Sequence, residues 1–408
     1  FRVMPSFMGR SDRDFWGALS RWVMARPLQV AVPTVLFLLL LASPVRDIRL
    51  GTVDATILPK ELESRRGFDI LRDEFGLLNR TQIPIAYTFG DTDDSDPLSE
   101  GNLGRLYAFG RALEDLDDVA RVRSIVNVSP ELDAGVYATL YSVPEAVTDA
   151  AVRTLLRDTV RDGAVLFLVE SDVEPFGPEA SGIVSDIRTF DPGPGRELFV
   201  DGGSAEIKDV VDSLYGRFPI VAGVVILATY FSLLILFRSV VLPIKAILLN
   251  VMSILASYGT LVFVFQQGHF SGLLNFEPLG VIEATTPILL FSIIFGLSMD
   301  YEIFLLARVS EAYKRTGDNA ASVADGLRRS GRIITGAAAI LIVVSASFLV
   351  ADVVLVKAVG LGLAIAIFVD VTIVRALLAP AIMRLLGPLN WWMPRWLDRI
   401  LPRADVAP

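Results

Sequence analysis

The stretch Leu279–Leu306 reads LGVIEATTPILLFSIIFGLSMDYEIFLL, and it decides the class of this protein. A helix needs about 20 largely apolar residues to cross the hydrocarbon of a bilayer, and this stretch is longer. Five more apolar blocks lie at Val30–Ser43, Phe218–Phe237, Val241–Gln266, Ile333–Val350 and Val353–Leu385. Together with a mean hydropathy of +0.54, they predict an integral membrane protein with six transmembrane helices.

The first block, Val30–Ser43, is the shortest, and it reaches a spanning length if its helix begins near Trp22. An N-terminal apolar block can also be a secretory signal peptide, which ends in a small-residue cleavage site. No such site follows, because Arg46 and Asp47 come directly after the block. We therefore predict a retained transmembrane helix over residues 22–45.

Residues 46–217 are polar, rich in turn residues and strongly acidic. They hold 33 acidic and 18 basic residues, whereas the whole chain carries a net charge of -9, so the remainder of the chain is basic. An acidic extramembrane part beside a basic membrane part argues against nucleic-acid binding. The predicted division is an N-terminal linker at 1–21, the first membrane helix at 22–45, one domain at 46–217, five membrane helices at 218–385 and a tail at 386–408.

The order of strands and helices within 46–217 indicates the fold of this domain. Alternating apolar residues predict strands, and apolar residues at helical spacing predict helices. The predicted strands are Gln82–Phe89, Val119–Val128, Ala164–Val169 and Glu197–Val200, and the predicted helices are Leu98–Leu116, Val143–Val160 and Glu179–Phe190. Two β-α-β runs of this kind predict a ferredoxin-like split βαβ sandwich with additional helices, and the fold class is an α+β membrane protein.

The short basic loops predict the orientation, because Lys and Arg concentrate on the cytoplasmic side of a membrane protein. Basic residues cluster at the N-terminus, at Arg238 and Lys245 between the second and third helices, between the fourth and fifth helices, and at the C-terminus. In a six-helix chain these four places fall on one side. We therefore predict that both termini are cytoplasmic and that the acidic domain, the loop at His269 and the turn at Asp352 lie outside.

Charged side chains inside a bilayer cost about 2.5–3.5 kcal/mol each on insertion scales, so each one requires a reason. Asp300 lies about two turns inside the cytoplasmic end of the fourth helix, with Gly296 on its face. A carboxylate in a low-dielectric environment can bind and release protons near neutral pH. Tyr301 is rotated by about 100° around the helix, so its hydroxyl is expected to serve a carboxylate on another helix. The other charged candidates are Glu283, Glu302, Asp370 and Arg375.

Structural roles compete with these functional interpretations. Asp300 is also compatible with a hydrogen-bond anchor between helices. Asp370 and Arg375, five residues apart, are equally compatible with an intramembrane ion pair that only supports the fold. Glu283 and Glu302 are more typical of interfacial or cavity-lining residues than of proton carriers.

The sequence predicts neither a metal, a cofactor nor an enzymatic activity. It has no cysteine and one histidine, His269, which disfavours thiolate and histidine metal sites and a catalytic triad. One acidic run contains Asp91, Asp93, Asp94 and Asp96. This run lacks the glycine and spaced glutamate of a calcium-binding EF-hand loop, and we interpret it as a solvated loop. The sequence also contains no nucleotide-binding glycine loop and no nucleophile elbow.

Several of these stretches resemble one family. Phe295–Arg308, FGLSMDYEIFLLAR, resembles the central membrane helix of the MMPL family of lipid exporters, which belongs to the resistance-nodulation-division (RND) superfamily. Ser330–Ile340, SGRIITGAAAI, and Phe368–Arg375, FVDVTIVR, are similar to the last two helices of that family. Trp391–Trp396, WWMPRW, resembles its tail. The resemblance covers essentially the entire chain, including the order of one helix, one domain and five helices.

The resemblance implies a transporter in the cytoplasmic membrane of a bacterial cell, driven by the proton-motive force. Asp300 would accept the proton, and Tyr301 would be its hydrogen-bonded gate. Asp370 and Arg375 would be auxiliary charges that rearrange as Asp300 titrates. The substrate would be a lipid or another amphiphile, taken from the outer leaflet and passed through the porter domain.

Members of this family are usually about twice as long and consist of two such halves. This chain resembles the second half, and the residues from Phe1 resemble the linker between halves. In the family each half contributes one Asp-Tyr pair, and the two pairs bond across a pseudo-twofold axis, whereas only Asp300-Tyr301 is present here. A complementary first half, a second copy of this chain or the rest of a longer chain would supply the other pair.

Two other functions compete with the transport of lipids. A protein-translocation accessory subunit of the same superfamily also comes as a six-helix half, but its motifs differ from the DYEIF run and the WWMP tail. A non-transporting membrane scaffold or lipid sensor would not need Asp300 beside Tyr301.

Overall fold

The computed structural model describes residues 11–76, 80–90, 96–144 and 147–401. The chain forms two compact units, one of Phe1–Arg49 with Tyr215–Pro408 and one of Leu50–Leu214. We call the first the helical unit and the second the sheet unit. Within the described ranges, six helical segments are long and apolar enough to cross a membrane, which confirms the predicted number of membrane helices in a mixed, helix-rich chain with small sheets. These segments are Pro27–Asp47, Gly203–Phe237, Val241–Gln266, Thr286–Thr316, Asn319–Val350 and Val354–Trp391.

Fifteen α-helices and seven short strands occur in the described part of the chain. The helices are α1 (Ser11–Ala25), α2 (Pro27–Ala42), α3 (Glu63–Asp73), α4 (Glu100–Glu114), α5 (Ala134–Tyr141), α6 (Ala150–Thr159), α7 (Pro178–Ile187), α8 (Gly203–Phe237), α9 (Val241–Leu261), α10 (Ser271–Leu274), α11 (Thr286–Thr316), α12 (Asn319–Ser347), α13 (Val354–Phe368), α14 (Ala379–Leu386) and α15 (Arg395–Ile400). The strands are β1 (Leu50–Gly51), β2 (Thr81–Phe89), β3 (Arg121–Arg123), β4 (Val160–Arg161), β5 (Ala164–Ser171), β6 (Arg196–Val200) and β7 (Ile282–Glu283).

The first membrane helix begins at Pro27, five residues after the predicted start near Trp22, which belongs to α1. Arg26, between the two helices, has φ -136° and ψ 56°, outside the helical region. A proline has no backbone N–H and disfavours helical geometry in the residue before it. The chain therefore breaks at Arg26, and Pro27 begins a new helix, a position that suits proline.

Two membrane segments contain π-helical turns, in which backbone hydrogen bonds join residues five apart. Val262–Gln266 follows α9, and Val369–Leu378 connects α13 to α14. The last predicted block is therefore one long helical segment whose central part is wider than an α-helix. Turns of this kind are rare and occur frequently at functional sites.

Small residues bring the membrane helices close together. A Cβ atom on Gly259 of α9 would lie 1.9 Å from the carbonyl oxygen of Leu41, so only glycine permits this approach to α2. A Cβ atom on Gly326 of α12 would lie 2.4 Å from Val309 Cγ2 of α11. Van der Waals packing of this type drives helix association in a membrane, where the hydrophobic effect between helices is absent.

The sheet unit contains one antiparallel sheet with the strand order β3-β5-β2-β6, and β4 pairs with β5. Alternate residues of the central strand β2 face a core that α4 and α7 cover. Phe109 of α4 packs edge-on against Phe167 of β5 and lies 5.4 Å from the ring of Tyr87. The predicted strands at 82–89, 164–169 and 197–200 and the helices at 98–116 and 179–190 are confirmed with shifts of a few residues.

Two predicted elements of the sheet unit are shorter than expected. The strand predicted over Val119–Val128 is limited to Arg121–Arg123, because the chain then turns with Asn127 N–H donating to the Ser124 carbonyl. The helix predicted over Val143–Val160 begins only at Ala150. Asp149 caps this helix by accepting hydrogen bonds from the first backbone N–H groups.

Candidate functional site

The predicted site residues on the membrane helices lie on two helical segments of the helical unit. Asp300, Tyr301 and Glu302 lie in the middle of α11. Asp370 and Arg375 both belong to the π-helical segment Val369–Leu378 of the last membrane helix. Buried Lys245 of α9 joins this group as the partner of Glu302.

Asp370 and Arg375 form a buried ion pair within one helical segment. Asp370 Oδ2 accepts from Arg375 Nε at 2.9 Å and lies 2.8 Å from Nη2, and the two side chains are 7% and 3% exposed. In an α-helix, residues five apart point about 140° away from each other. The π-helical turn brings residues i and i+5 onto one face, so the unusual backbone makes this ion pair possible.

Arg375 connects this ion pair to α11. Its Nη2 donates to the Ser298 carbonyl oxygen and, at 3.0 Å, to Ser298 Oγ, and its guanidinium carbon lies 5.4 Å from the ring centroid of Tyr301. Its Nη1 is buried and has no acceptor among the described residues. A cavity of about 10 Å³, close to the space of one water molecule, lies between Tyr301 and Asp370. Arg375 thus brings the ion pair into contact with Tyr301, the neighbour of Asp300 in the sequence.

Lys245 and Glu302 form a second buried ion pair, between α9 and α11. Lys245 Nζ lies 3.2 Å from Glu302 Oε1, and the side chains are 5% and 7% exposed. Lys245 was predicted to belong to a basic loop, but the residue lies in the second turn of α9. The signal that could have found it is its position after Pro243, since a proline commonly stands in the first turn of a helix.

Asp300 differs from these buried charges. It is exposed on the surface of the isolated chain, and no described residue forms a hydrogen bond or an ion pair with it. Gly296, one turn earlier, is exposed as well, and a Cβ atom built on it would have no atom within 4 Å. The two residues lie on one face of α11, which we call the open face. A carboxylate and a glycine therefore share this face at mid-helix, and glycine is the kind of small residue that lets another membrane helix approach closely.

Glu283 ends strand β7, three residues before α11 begins, and binds the N-terminal end of that helix. Its carboxylate accepts hydrogen bonds from the backbone N–H groups of Thr285 and Thr286 at 3.1 and 3.0 Å, and from both hydroxyl groups at 2.7 and 2.9 Å. A carboxylate at a helix N-terminus satisfies unpaired N–H groups and interacts favourably with the helix dipole. Glu283 also lines a cavity of about 10 Å³.

Lys357 is a buried charge that the sequence analysis did not consider. Its ammonium group, 4% exposed as a residue, donates to the carbonyl oxygens of Leu274 and Asn275 at 2.6 and 2.8 Å. These carbonyls end the short helix α10, so Lys357 fastens the 267–281 loop to α13. A lysine within a long apolar block was the available signal. Of the acidic run considered for calcium, Asp91, Asp93 and Asp94 lie outside the described residues.

Comparison with known proteins fixes the family. The model of the MMPL family matches residues 116–404. The chain belongs to the MMPL family. Its MMPL relatives are RND-type transporters, as the sequence resemblance predicted.

Three relatives align with nearly the whole chain. The trehalose monomycolate exporter MmpL3 of Mycolicibacterium smegmatis is 32% identical over 400 residues, 97% of this chain and 36% of that protein. The mycolic acid-containing lipids exporter MmpL11 of the same organism is 35% identical, over 96% of this chain and 38% of that protein. Membrane protein YdfJ of Bacillus subtilis is 30% identical, over 97% and 49%. The chain thus spans a third to a half of the length of these MMPL relatives.

Proposed function

We propose that this chain is the proton-coupled half of an exporter that moves lipids or other amphiphiles across or out of the cytoplasmic membrane. The observation that carries the proposal is the open face of α11. Asp300 has no partner among the described residues, whereas Glu283, Glu302 and Asp370 are each bound by groups of the same chain. Since an unpartnered carboxylate inside a membrane is costly, its retention indicates a function that a partner completes.

Asp300 would bind a proton from one side of the membrane and release it to the other. Tyr301 is half-buried beside it, with its ring against the Arg375 guanidinium. Its hydroxyl would donate to a carboxylate of the complementary half and gate the exchange. The unused Nη1 donor of Arg375 supports a further rearrangement, in which the Asp370–Arg375 pair changes partners as Asp300 gains or loses charge.

The complementary half would pack on the open face. Gly296 allows the close approach of a second helix, as small residues do at membrane helix interfaces. The lengths of the relatives favour a first half of similar size, on the same polypeptide or on a separate one, over a second copy of this chain. We infer that the acid of that half would face Tyr301, and its tyrosine would face Asp300.

We also propose that residues 46–217 form an extracytoplasmic porter domain and that both termini are cytoplasmic. The strand order β3-β5-β2-β6, all antiparallel, is that of a split βαβ sandwich with β2 and β6 as its first and last strands. The basic clusters beside the membrane helices support this orientation. The names of two relatives specify trehalose monomycolate and mycolic acid-containing lipids, which favours a lipid substrate for this chain.

Transport by reconstituted protein tests the proposal. The chain is placed in proteoliposomes with its complementary half, a pH gradient is imposed, and the movement of a fluorescent lipid between leaflets is followed. We expect Asp300→Asn to abolish the gradient-dependent part. Asp352→Asn is the matched control, because it makes the same change in an exposed turn. Full transport by Asp300→Asn would remove this residue from the mechanism, and equal wild-type transport without a gradient would rule out proton coupling.

A further inference from the structure

A groove of about 530 Å³ lies between three membrane segments of the helical unit. The C-terminal end of α2 forms one wall, with Phe37 and Leu40. Gly259 and the π-helical turn after α9 form the second wall, and the last membrane helix forms the third with Phe368 and Ile373. The volume lies within the range of about 300–1,000 Å³ that is typical of ligand sites. We call this feature the lateral groove.

The lining of the lateral groove is chemically suited to hydrocarbon. Its two hydroxyl side chains are already bonded to their own helices, because Ser43 Oγ donates to the Leu40 carbonyl at 2.8 Å and Thr260 Oγ1 to the Ala256 carbonyl at 2.9 Å. All other lining residues are glycine, proline or apolar. An occupant therefore finds no unused hydroxyl donor and gains only from apolar contact.

The rim of the lateral groove is continuous with the surface that faces the bilayer. Phe37, Leu40 and Phe368 border it and are 45%, 68% and 47% exposed. Because this opening faces the bilayer, the apolar groups that surround it at the highest concentration are lipid acyl chains. An acyl chain needs no hydrogen-bond partner, which fits the lining of the groove.

The floor of the lateral groove belongs to the helical segment that carries the buried ion pair. Val369 and Ile373 line the groove, and Asp370 and Arg375 are their neighbours on the same π-helical turns. A chain lying in the groove therefore contacts the residue that directly precedes Asp370.

We infer that the lateral groove is a binding site for one acyl chain of a bilayer lipid, positioned against the π-helical segment of Asp370 and Arg375. Binding requires only the apolar lining and the lateral opening. Any effect on transport rests on the proposed function. Because the lining carries no charged side chain, the site is expected to select for the acyl chain and not for the head group.

Photolabelling tests this inference without a pH gradient. The chain is reconstituted in phosphatidylcholine vesicles that contain a small fraction of phosphatidylcholine with a photoreactive acyl chain, and the labelled peptides are identified by mass spectrometry. We expect several-fold more label on peptides of the lateral groove than on the bilayer-facing surface of α12 around Ile340, which is 67% exposed.

Two variants that fill the groove serve as its test. Thr260→Trp should reduce groove labelling several-fold, and Ser43→Trp fills the groove from a second, more exposed position and should do the same. Ile340→Trp is the matched control and should leave groove labelling unchanged. Equal labelling of groove and α12, or no effect of either filling variant, would overturn the inference. Loss of the groove label when the complementary half is added would assign the groove to a protein contact and would also overturn it.

This result is separable from the test of proton coupling. Normal groove labelling with gradient-independent transport would retain the lipid site and reject the proposed function. Absence of groove labelling with gradient-driven transport would reject the lipid site and retain the proposed function.

Discussion

The interior of the helical bundle and the open face of α11 treat charge in opposite ways. In the interior, Lys245 is paired with Glu302, and Asp370 with Arg375, and all four side chains are at most 7% exposed. On the open face, Asp300 lies two residues before Glu302 on α11 and has no partner among the described residues. These two acids of the interior thus have a cation of the same chain as partner, whereas Asp300 has none among the described residues.

This difference separates two kinds of intramembrane charge. A buried pair is favourable only relative to the same charges left unpaired, so it is retained once both partners are present and contributes to fold specificity. An unpaired acid that faces outward gains nothing within the chain. Its function therefore depends on what packs against α11. Substitutions in the interior and on the open face should accordingly differ in their measured effects.

The largest effect is expected from removing one partner of the buried Asp370–Arg375 pair. Arg375→Gln leaves Asp370 buried without its cation and should reduce the free energy of unfolding by about 3–5 kcal/mol. The double variant Asp370→Asn with Arg375→Gln should recover much of this loss, because no buried charge remains unpaired. Thermal unfolding in detergent, followed by tryptophan fluorescence, measures both, since all five tryptophans lie in the helical unit.

Arg308→Gln is the control for the loss of an arginine. Arg308 pairs with Glu311 at 2.9 Å, but the two side chains are 48% and 65% exposed, so the change should cost less than about 1 kcal/mol. Equal free energies of unfolding for Arg375→Gln and for the double variant would contradict the electrostatic account.

Two glycine substitutions compare the interior and the open face with the same chemical change. Gly259→Ala forces a methyl group against the Leu41 carbonyl oxygen and should destabilise the chain by at least about 1–3 kcal/mol, the usual range for overpacking. Gly296→Ala meets no atom and should stabilise α11 by about 0.5–1 kcal/mol in the isolated chain. The same alanine should weaken association with the complementary half, measured by co-purification. Strong association by Gly296→Ala would show that the open face is not the interface.

A smaller effect is expected at the N-terminal end of α11. Glu283→Ala removes the acceptor for two backbone N–H groups and two hydroxyls of the first turn, which should cost about 1–2 kcal/mol, as loss of a helix cap does. Glu311→Ala removes an exposed acid from the same helix and serves as the control. If transport by Glu283→Ala falls further than its loss of folded protein, Glu283 has a role beyond capping.

The smallest effect is expected at Tyr141 of the sheet unit, whose side chain carries no charge at neutral pH. Tyr141 donates to the Ile125 carbonyl at 2.7 Å, and burial raises the pKa of its hydroxyl above the ordinary value of 10. The folded chain keeps this hydroxyl neutral where the unfolded chain ionises, so its stabilising contribution is complete below pH 10 and is lost as the pH rises further. Tyr141→Phe should lose about 1 kcal/mol at pH 8 and show a weaker alkaline decline. Pulse proteolysis in urea measures the free energy of unfolding at pH 8 and its decline at alkaline pH. If Tyr141→Phe leaves that decline unchanged, the decline belongs to other groups.

The sequence was sufficient for features that depend on long or local patterns. Six apolar runs predict six membrane helices, because length and hydropathy alone determine whether a helix can span a bilayer. Strand β2 was predicted to within one residue, since alternation over nine residues is a strong signal. Asp370 and Arg375 were identified as a possible pair, although α-helical geometry would have kept them apart.

Features that depend on distant residues or on rare backbone geometry were not predictable. The π-helical turns that bring Asp370 to Arg375 have no recognised sequence signature. The Lys245–Glu302 pair joins residues 57 positions apart, and Lys245 stands near enough to a basic loop to be counted with it. The exposure of Asp300 on the isolated chain depends on how α9, α12 and α13 pack around α11, which no local pattern encodes.

The central claim is that Asp300 exchanges a proton in the assembled transporter. Infrared difference spectroscopy measures this directly, by following the carboxyl stretch of the reconstituted protein as the bulk pH is raised stepwise. The account predicts a protonated carboxyl band that disappears with rising pH, is missing in Asp300→Asn and is retained in Asp352→Asn. Identical difference spectra for wild type and Asp300→Asn would contradict it.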